Sequence, residues 1–171
     1  MENLKIKFSH HDHGTIYQTT FESEGSLKKL IEFLKTDKSP SIDGENTNKV
    51  LSVRVINDDE IVKVVSSQIP TDSFTRSLIG NKPLHITYNI AYNDEILVLK
   101  TKNPSRLDNL FRFNEELTVT EENGILRFER KAHVYNLGKK LPIVGQSYQK
   151  YDDIYNRRNI EYYHALSQIC K

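Results

Sequence analysis

The chain has no tryptophan, one cysteine, one methionine, five prolines and seven glycines among its 171 residues. With only Cys170 present, no intrachain disulfide can form, and no internal repeat or low-complexity tract occurs. Apolar runs reach four or five residues, as from Ile96 to Leu99, far short of the roughly 20 that span a bilayer as a helix. The N-terminal Met1-Glu2-Asn3-Leu4-Lys5 lacks the apolar segment of a secretory signal, so a reducing, cytoplasmic setting is expected. Charge of one sign is also lacking. Lys plus Arg number 24 against 23 Asp plus Glu, for a formal net charge of +1, which excludes polyanion binding through general electrostatics and makes nucleic acid an unexpected partner.

What is present is a modest apolar content, 37% of residues, arranged in short alternating bursts. A disordered polar chain would not show such patterning. The length suits a single domain over 1–171, with a small or hollow core.

Two short alternations, Leu4 to Phe8 and Ile16 to Phe21, flank the polar break His10-His11-Asp12-His13-Gly14 and predict two strands or one kinked strand. Ser23 and Ser26 offer caps to a helix in which Leu27, Leu30, Ile31 and Leu34 share a face. Thr36 to Asn48 has loop composition and is expected to be the mobile segment. From Val50 the period changes to two: Val50 to Ile56 and Ile61 to Ile69 read as a hairpin about Asn57-Asp58-Asp59-Glu60. A short helix is expected over 71–80. A further strand follows, with Ile86, Tyr88, Ile90 and Tyr92 on one face, and then one from Glu95 to Thr101.

The strongest local signal lies in the hairpin over 111–134, where Asn123-Gly124 supplies the two positive-φ residues of a type I′ turn. That turn sets the register: Val119 faces Phe128, Leu117 faces Arg130, Glu115 faces Ala132 and Phe113 faces Val134. One face is therefore apolar except for Glu115 and Arg130, placed diagonally and within reach of each other. Pro142 precedes a long helix on which Val144, Tyr148, Tyr151, Tyr155, Tyr162, Leu166 and Ile169 form a stripe over about seven turns. The fold class is α+β, a curved antiparallel sheet with a long C-terminal helix.

This order of elements resembles the helix-grip fold of the START-like (SRPBCC) superfamily, which includes polyketide cyclases, pollen-allergen-like proteins and PRELI-like lipid carriers. The most specific likeness is Leu141-Pro142-Ile143-Val144-Gly145 leading into the long helix. Phe74-Thr75-Arg76-Ser77-Leu78-Ile79-Gly80, followed by Ile86-Thr87-Tyr88, is similar to the superfamily's middle section. The usual second helix is replaced by a polar loop, and the middle strands carry no Trp.

The resemblance implies a cavity between sheet and terminal helix for a hydrophobic ligand such as a lipid, sterol or polyketide. Its expected lining is Tyr88, Phe113, Glu115, Leu117, Phe128, Arg130, Tyr151, Tyr155, Arg158 and Tyr162, with the Glu115–Arg130 pair orienting a polar head and Arg158 joining it from the helix. A tyrosine stripe suits a wet or ligand-filled seam, because each hydroxyl needs a partner; rings that merely reach the rim would satisfy the same pattern. A buried ion pair without function is the plainer account of Glu115 and Arg130.

No cofactor is implied. His10, His11, Asp12 and His13 are metal-competent, but His85, His133 and His164 are dispersed, and a solvated turn is the expected reading. Nucleophilic catalysis lacks support: Cys170 sits at a helix end expected to fray, and no Gly-x-Ser-x-Gly elbow occurs. Binding or transfer of a hydrophobic small molecule is thus favoured. The alternatives are a cyclase- or hydrolase-like enzyme drawing on Glu115, His133 or Tyr88, and a protein-interaction module. No transmembrane segment is expected, although transient membrane contact is compatible with the sequence.

Overall fold

The computed structural model describes residues 2–41, 48–67, 83–102, 105–106 and 110–171. Among them the chain forms β1 (Glu2–His11), β2 (Gly14–Glu24), α1 (Leu27–Leu34), β3 (Asn48–Asn57), β4 (Glu60–Ser67), β5 (Leu84–Tyr92), β6 (Ile96–Thr101), the two-residue β7 (Ser105–Arg106), β8 (Phe111–Glu122), β9 (Ile125–Asn136), a short 3₁₀ turn (Gly138–Lys140) and α2 (Gly145–Ile169). The strands pair antiparallel in the order β1-β2-β9-β8-β6-β5-β4-β3, with β7 on β8. The short helix expected over 71–80, and with it the Phe74–Gly80 resemblance, lies outside the described residues.

Period-two alternation gives the sheet one apolar face. Phe111, Phe113, Leu117 and Val119 of β8 and Leu126, Phe128, Ala132 and Val134 of β9 are buried there. The β8–β9 register is the one that the Asn123-Gly124 turn dictates, with Val119 opposite Phe128 and Glu115 opposite Ala132. Both turn residues have positive φ, 53° and 76°. Helices α1 and α2 cover this inner face, α1 through Leu27, Leu30, Ile31 and Leu34.

Two local expectations are corrected. The Ser26 hydroxyl makes no cap on α1; the Glu121 carboxylate of β8 accepts the Leu27 N–H at 2.7 Å instead. An anion at a helix N-terminus faces unpaired N–H groups and the positive end of the dipole, so it caps more strongly than a neutral hydroxyl. The end of α2 is pinned rather than frayed: Ser26 N–H donates to the Cys170 carbonyl at 2.9 Å, and the buried thiol donates to the Leu166 carbonyl. Burial pushes that thiol up to about 11, so Cys170 is no nucleophile near neutral pH.

The connection after α1, read as mobile, is gripped at its start. Lys63, in the apolar phase of β4 and 2% exposed, donates to the carbonyls of Leu34, Thr36 and Lys38 at 3.4, 3.1 and 3.2 Å. Three carbonyl dipoles replace the ammonium's water shell, while its four-carbon stem packs among apolar neighbours.

Candidate functional site

The two charges on the inner face meet. Arg130 Nε donates to Glu115 Oε2 at 2.8 Å, with the residues 3% and 4% exposed. Such a pair is tolerated out of water only if its remaining atoms find partners. For Glu115 they do: Tyr88 of β5 and Tyr163 of α2 both donate to Oε1, at 2.9 and 3.0 Å. Arg130 Nη1 donates to Asn156 Oδ1 at 3.2 Å, and its guanidinium lies over the Tyr163 ring. The cluster thus ties the middle of the sheet to the middle of α2.

Burial, reinforced by the Glu115 charge, raises the hydroxyl pKa of Tyr88, Tyr155 and Tyr163 well above 10. For Arg130 burial opposes the charge, but Glu115 outweighs it and the guanidinium stays protonated. The tyrosines are therefore neutral donors and the pair is formally neutral as a whole.

Some polar atoms remain unpartnered. Among the described residues, Arg130 Nη2, Thr19 Oγ1 and the Tyr155 hydroxyl are buried without a hydrogen bond of good geometry. Thr19 is the cross-strand neighbour of Arg130 on β2, so two of these atoms belong to adjacent inward side chains. Nearby Tyr155 packs on Phe113 at 4.3 Å between ring centroids, and Tyr151 meets Phe111 edge-on.

Of the expected lining, Tyr88, Phe113, Glu115, Leu117, Phe128, Arg130, Tyr151 and Tyr155 are buried on the inner side. The other two residues of the expected lining, Arg158 and Tyr162, lie on α2. Arg158 donates to Glu161 on its own helix at 3.3 Å, and Asn156 takes the place expected of it beside Arg130. Tyr162 is half-buried and edge-on to Tyr163, whose hydroxyl is the one that reaches Glu115. His133 also departs from expectation: strand alternation, with Ala132 and Val134 fully buried, turns it to the outer face beside Tyr135.

A second polar knot lies nearer the start of α2. Tyr17 donates to Asp152 Oδ1 at 3.0 Å, and Asp152 is fully buried, its pKa pushed up by burial to about 6. The outer face carries an open depression of about 600 Å³, lined by Lys5, Lys7, Arg127, Lys131, Glu116 and Glu129 among others. Arg127 pairs with Glu129 along β9 at 2.8 Å, and Glu116 pairs with Lys100 of the neighbouring strand at 3.1 Å; all four side chains are half exposed or more, as on a solvated face. His10 and His11 lie against Phe8 and Tyr135 respectively, and no group of three or more potential metal ligands comes together among the described residues.

No protein-family model matches the sequence, and no curated protein matches it. The fold, however, is similar to solved structures. The di-domain ARO/CYC BexL from the BE-7585A biosynthetic pathway matches with a TM-score of 0.58 at 11% identity, over 91% of this chain and 50% of that one. The Zhui aromatase/cyclase from Streptomyces sp. R1128 gives 0.54 at 10% identity, over 90% and 91%. Human StAR-related lipid transfer protein 5 gives 0.53 at 13% identity, over 96% and 86%. The chain spans about half the length of the di-domain proteins it matches. The architecture is a helix-grip fold, shared with these aromatase/cyclase and lipid-transfer structures.

Proposed function

We propose that this START-like chain, as one domain over 1–171, binds or transfers a hydrophobic small molecule of lipid, sterol or polyketide type between the inner sheet face and α2. The observation that carries this reading is a set of buried polar atoms without a hydrogen bond of good geometry, Arg130 Nη2, Thr19 Oγ1 and Tyr155 Oη, the Tyr155 hydroxyl and the guanidinium lying near each other among apolar rings. Each buried polar atom left unpaired costs about 1–3 kcal/mol, and a ligand oxygen accepting from Arg130 offsets that cost. The neutral Glu115–Arg130 cluster then orients the polar end, and Phe113, Leu117, Phe128, Tyr88, Tyr151 and Tyr155 surround the apolar part. The lone, buried Cys170 thiol fits a reducing cytoplasm.

The enzyme alternative has less support. Both oxygens of Glu115 already accept hydrogen bonds, and the neighbouring tyrosines hold their protons far above neutral pH, so neither Glu115 nor Tyr88 is poised as a general base. The test is native mass spectrometry of the purified chain, followed by solvent extraction. An oxygen-bearing apolar molecule in stoichiometric amount is expected, and its retention should fall in Arg130→Met. A blank extract together with failure to take up apolar fluorescent probes would sink the proposal.

A further inference from the structure

The turn between β9 and α2 displays apolar side chains where a water-facing loop has no use for them. Ile143 is 91% exposed, and Leu137 and Leu141 are each 41% exposed. Ile143 also sits at φ 44°, a left-handed conformation that a β-branched residue adopts only under strain. Glycine or asparagine would relieve that strain and suit water better. Strain and exposure fall on the same residue, which points to use of the side chain rather than to packing.

The turn is a built platform. Leu137 N–H donates to the Leu110 carbonyl at 2.8 Å, Lys139 N–H to Asn136 Oδ1 at 3.2 Å, Leu141 N–H to the Gly138 carbonyl at 3.0 Å and Gly145 N–H to the Leu141 carbonyl at 3.1 Å. Gly138 lies so close under the Tyr148 ring that a Cβ there would stand 2.3 Å from Cγ. Ile143 is thus held outward by braces on both sides of the turn.

Its charge is one-sided. Between Asn136 and Gln149 the charged residues are Lys139 and Lys140, with no Asp or Glu. Lys139 and Lys140 immediately precede the apolar Leu141-Pro142-Ile143 tip. We propose that this turn docks the protein on an anionic lipid surface, Ile143 and Leu141 entering the headgroup–acyl boundary while the lysines meet lipid phosphates and carboxylates. A second copy is disfavoured as occupant, because a symmetric contact would set Lys139 and Lys140 against their own equivalents. The inference goes beyond the cavity reading and stands without it: a chain that carries no apolar ligand yet docks would refute only that reading.

The test is flotation of the full chain with vesicles of phosphatidylcholine containing about 30 mol% phosphatidylserine, beside vesicles of phosphatidylcholine alone. The protein should float with the anionic vesicles and much less with the neutral ones, the difference shrinking in high salt. Ile143→Gly should weaken flotation by about tenfold, yet leave the melting temperature unchanged or higher because glycine is at ease at that φ. Lys139→Ala and Lys140→Ala should each weaken it about fivefold. Absence of flotation by the wild-type chain overturns the proposal, as does wild-type-like flotation of Ile143→Gly. So does a dimer that Ile143→Gly converts to monomer without any vesicle binding, since the turn would then serve a second copy.

Discussion

Arg130 Nε meets Glu115 Oε2 at 2.8 Å although neither residue is the other's cross-strand partner: Arg130 faces Leu117, and Glu115 faces Ala132. The contact is diagonal, made possible by two long side chains on one face of an antiparallel pair. Removing one partner leaves the other charged and buried, so Glu115→Gln and Arg130→Met should each lower unfolding free energy by about 3–5 kcal/mol. The double variant should be less damaging than the sum, by at least about 1 kcal/mol of coupling. Urea denaturation of the four proteins measures this. Strict additivity would mean that the charges are solvated and the seam open.

That pair is legible in the sequence because one turn, Asn123-Gly124, locks the register of both strands and alternation does the rest. Its surroundings are less legible. Tyr163 and Asn156 come from α2, whose rotation against the sheet is set by packing and not by its own periodicity. Thr19 and Tyr17 share a strand phase with Phe21, so alternation along β2 does mark them as inward, but nothing local says that a threonine would neighbour a buried arginine. Lys63 carries a readable signal too, a lysine in phase with Ile61 and Val65; its carbonyl partners lie some 25–29 residues away, beyond any local rule.

The cap on α1 gives a sharp contrast between two residues. Glu121→Ala removes the carboxylate that accepts the Leu27 N–H and should cost about 0.5–2 kcal/mol. Ser26→Ala should cost less than about 0.5 kcal/mol, because the Ser26 hydroxyl makes no cap bond. Thermal unfolding of the two variants side by side decides it. A larger loss at Ser26 would return the cap to the hydroxyl.

Asp152 predicts a pH dependence with a definite sign. Burial lifts its pKa from 3.8 to about 6, outweighing the Tyr17 hydrogen bond, so the folded chain binds this proton more tightly than the unfolded one. Its contribution to stability is therefore full below about pH 4 and lost as pH rises through about 6, an effect of about 3 kcal/mol. Asp152→Asn should abolish this component between pH 4 and 7 and be more stable than wild type at pH 7. Denaturation midpoints across that range test it; parallel curves for the two proteins would show that Asp152 is not the titrating group.

Lys63 is the residue whose loss should be felt furthest along the chain. Its ammonium converts three carbonyls beyond and within the last turn of α1 into a cage, so the stretch 35–41 is ordered by a side chain from β4. Lys63→Met keeps the apolar stem and removes only the donor, leaving those carbonyls to seek water. Hydrogen exchange of the amides in 35–41 should then quicken by one to two orders of magnitude, about 1–3 kcal/mol of lost local protection, while the amides of β8 and β9 stay protected. Uniform quickening across the sheet would mean that the lysine holds up the whole core, and unchanged exchange would mean that the loop is held by its own backbone.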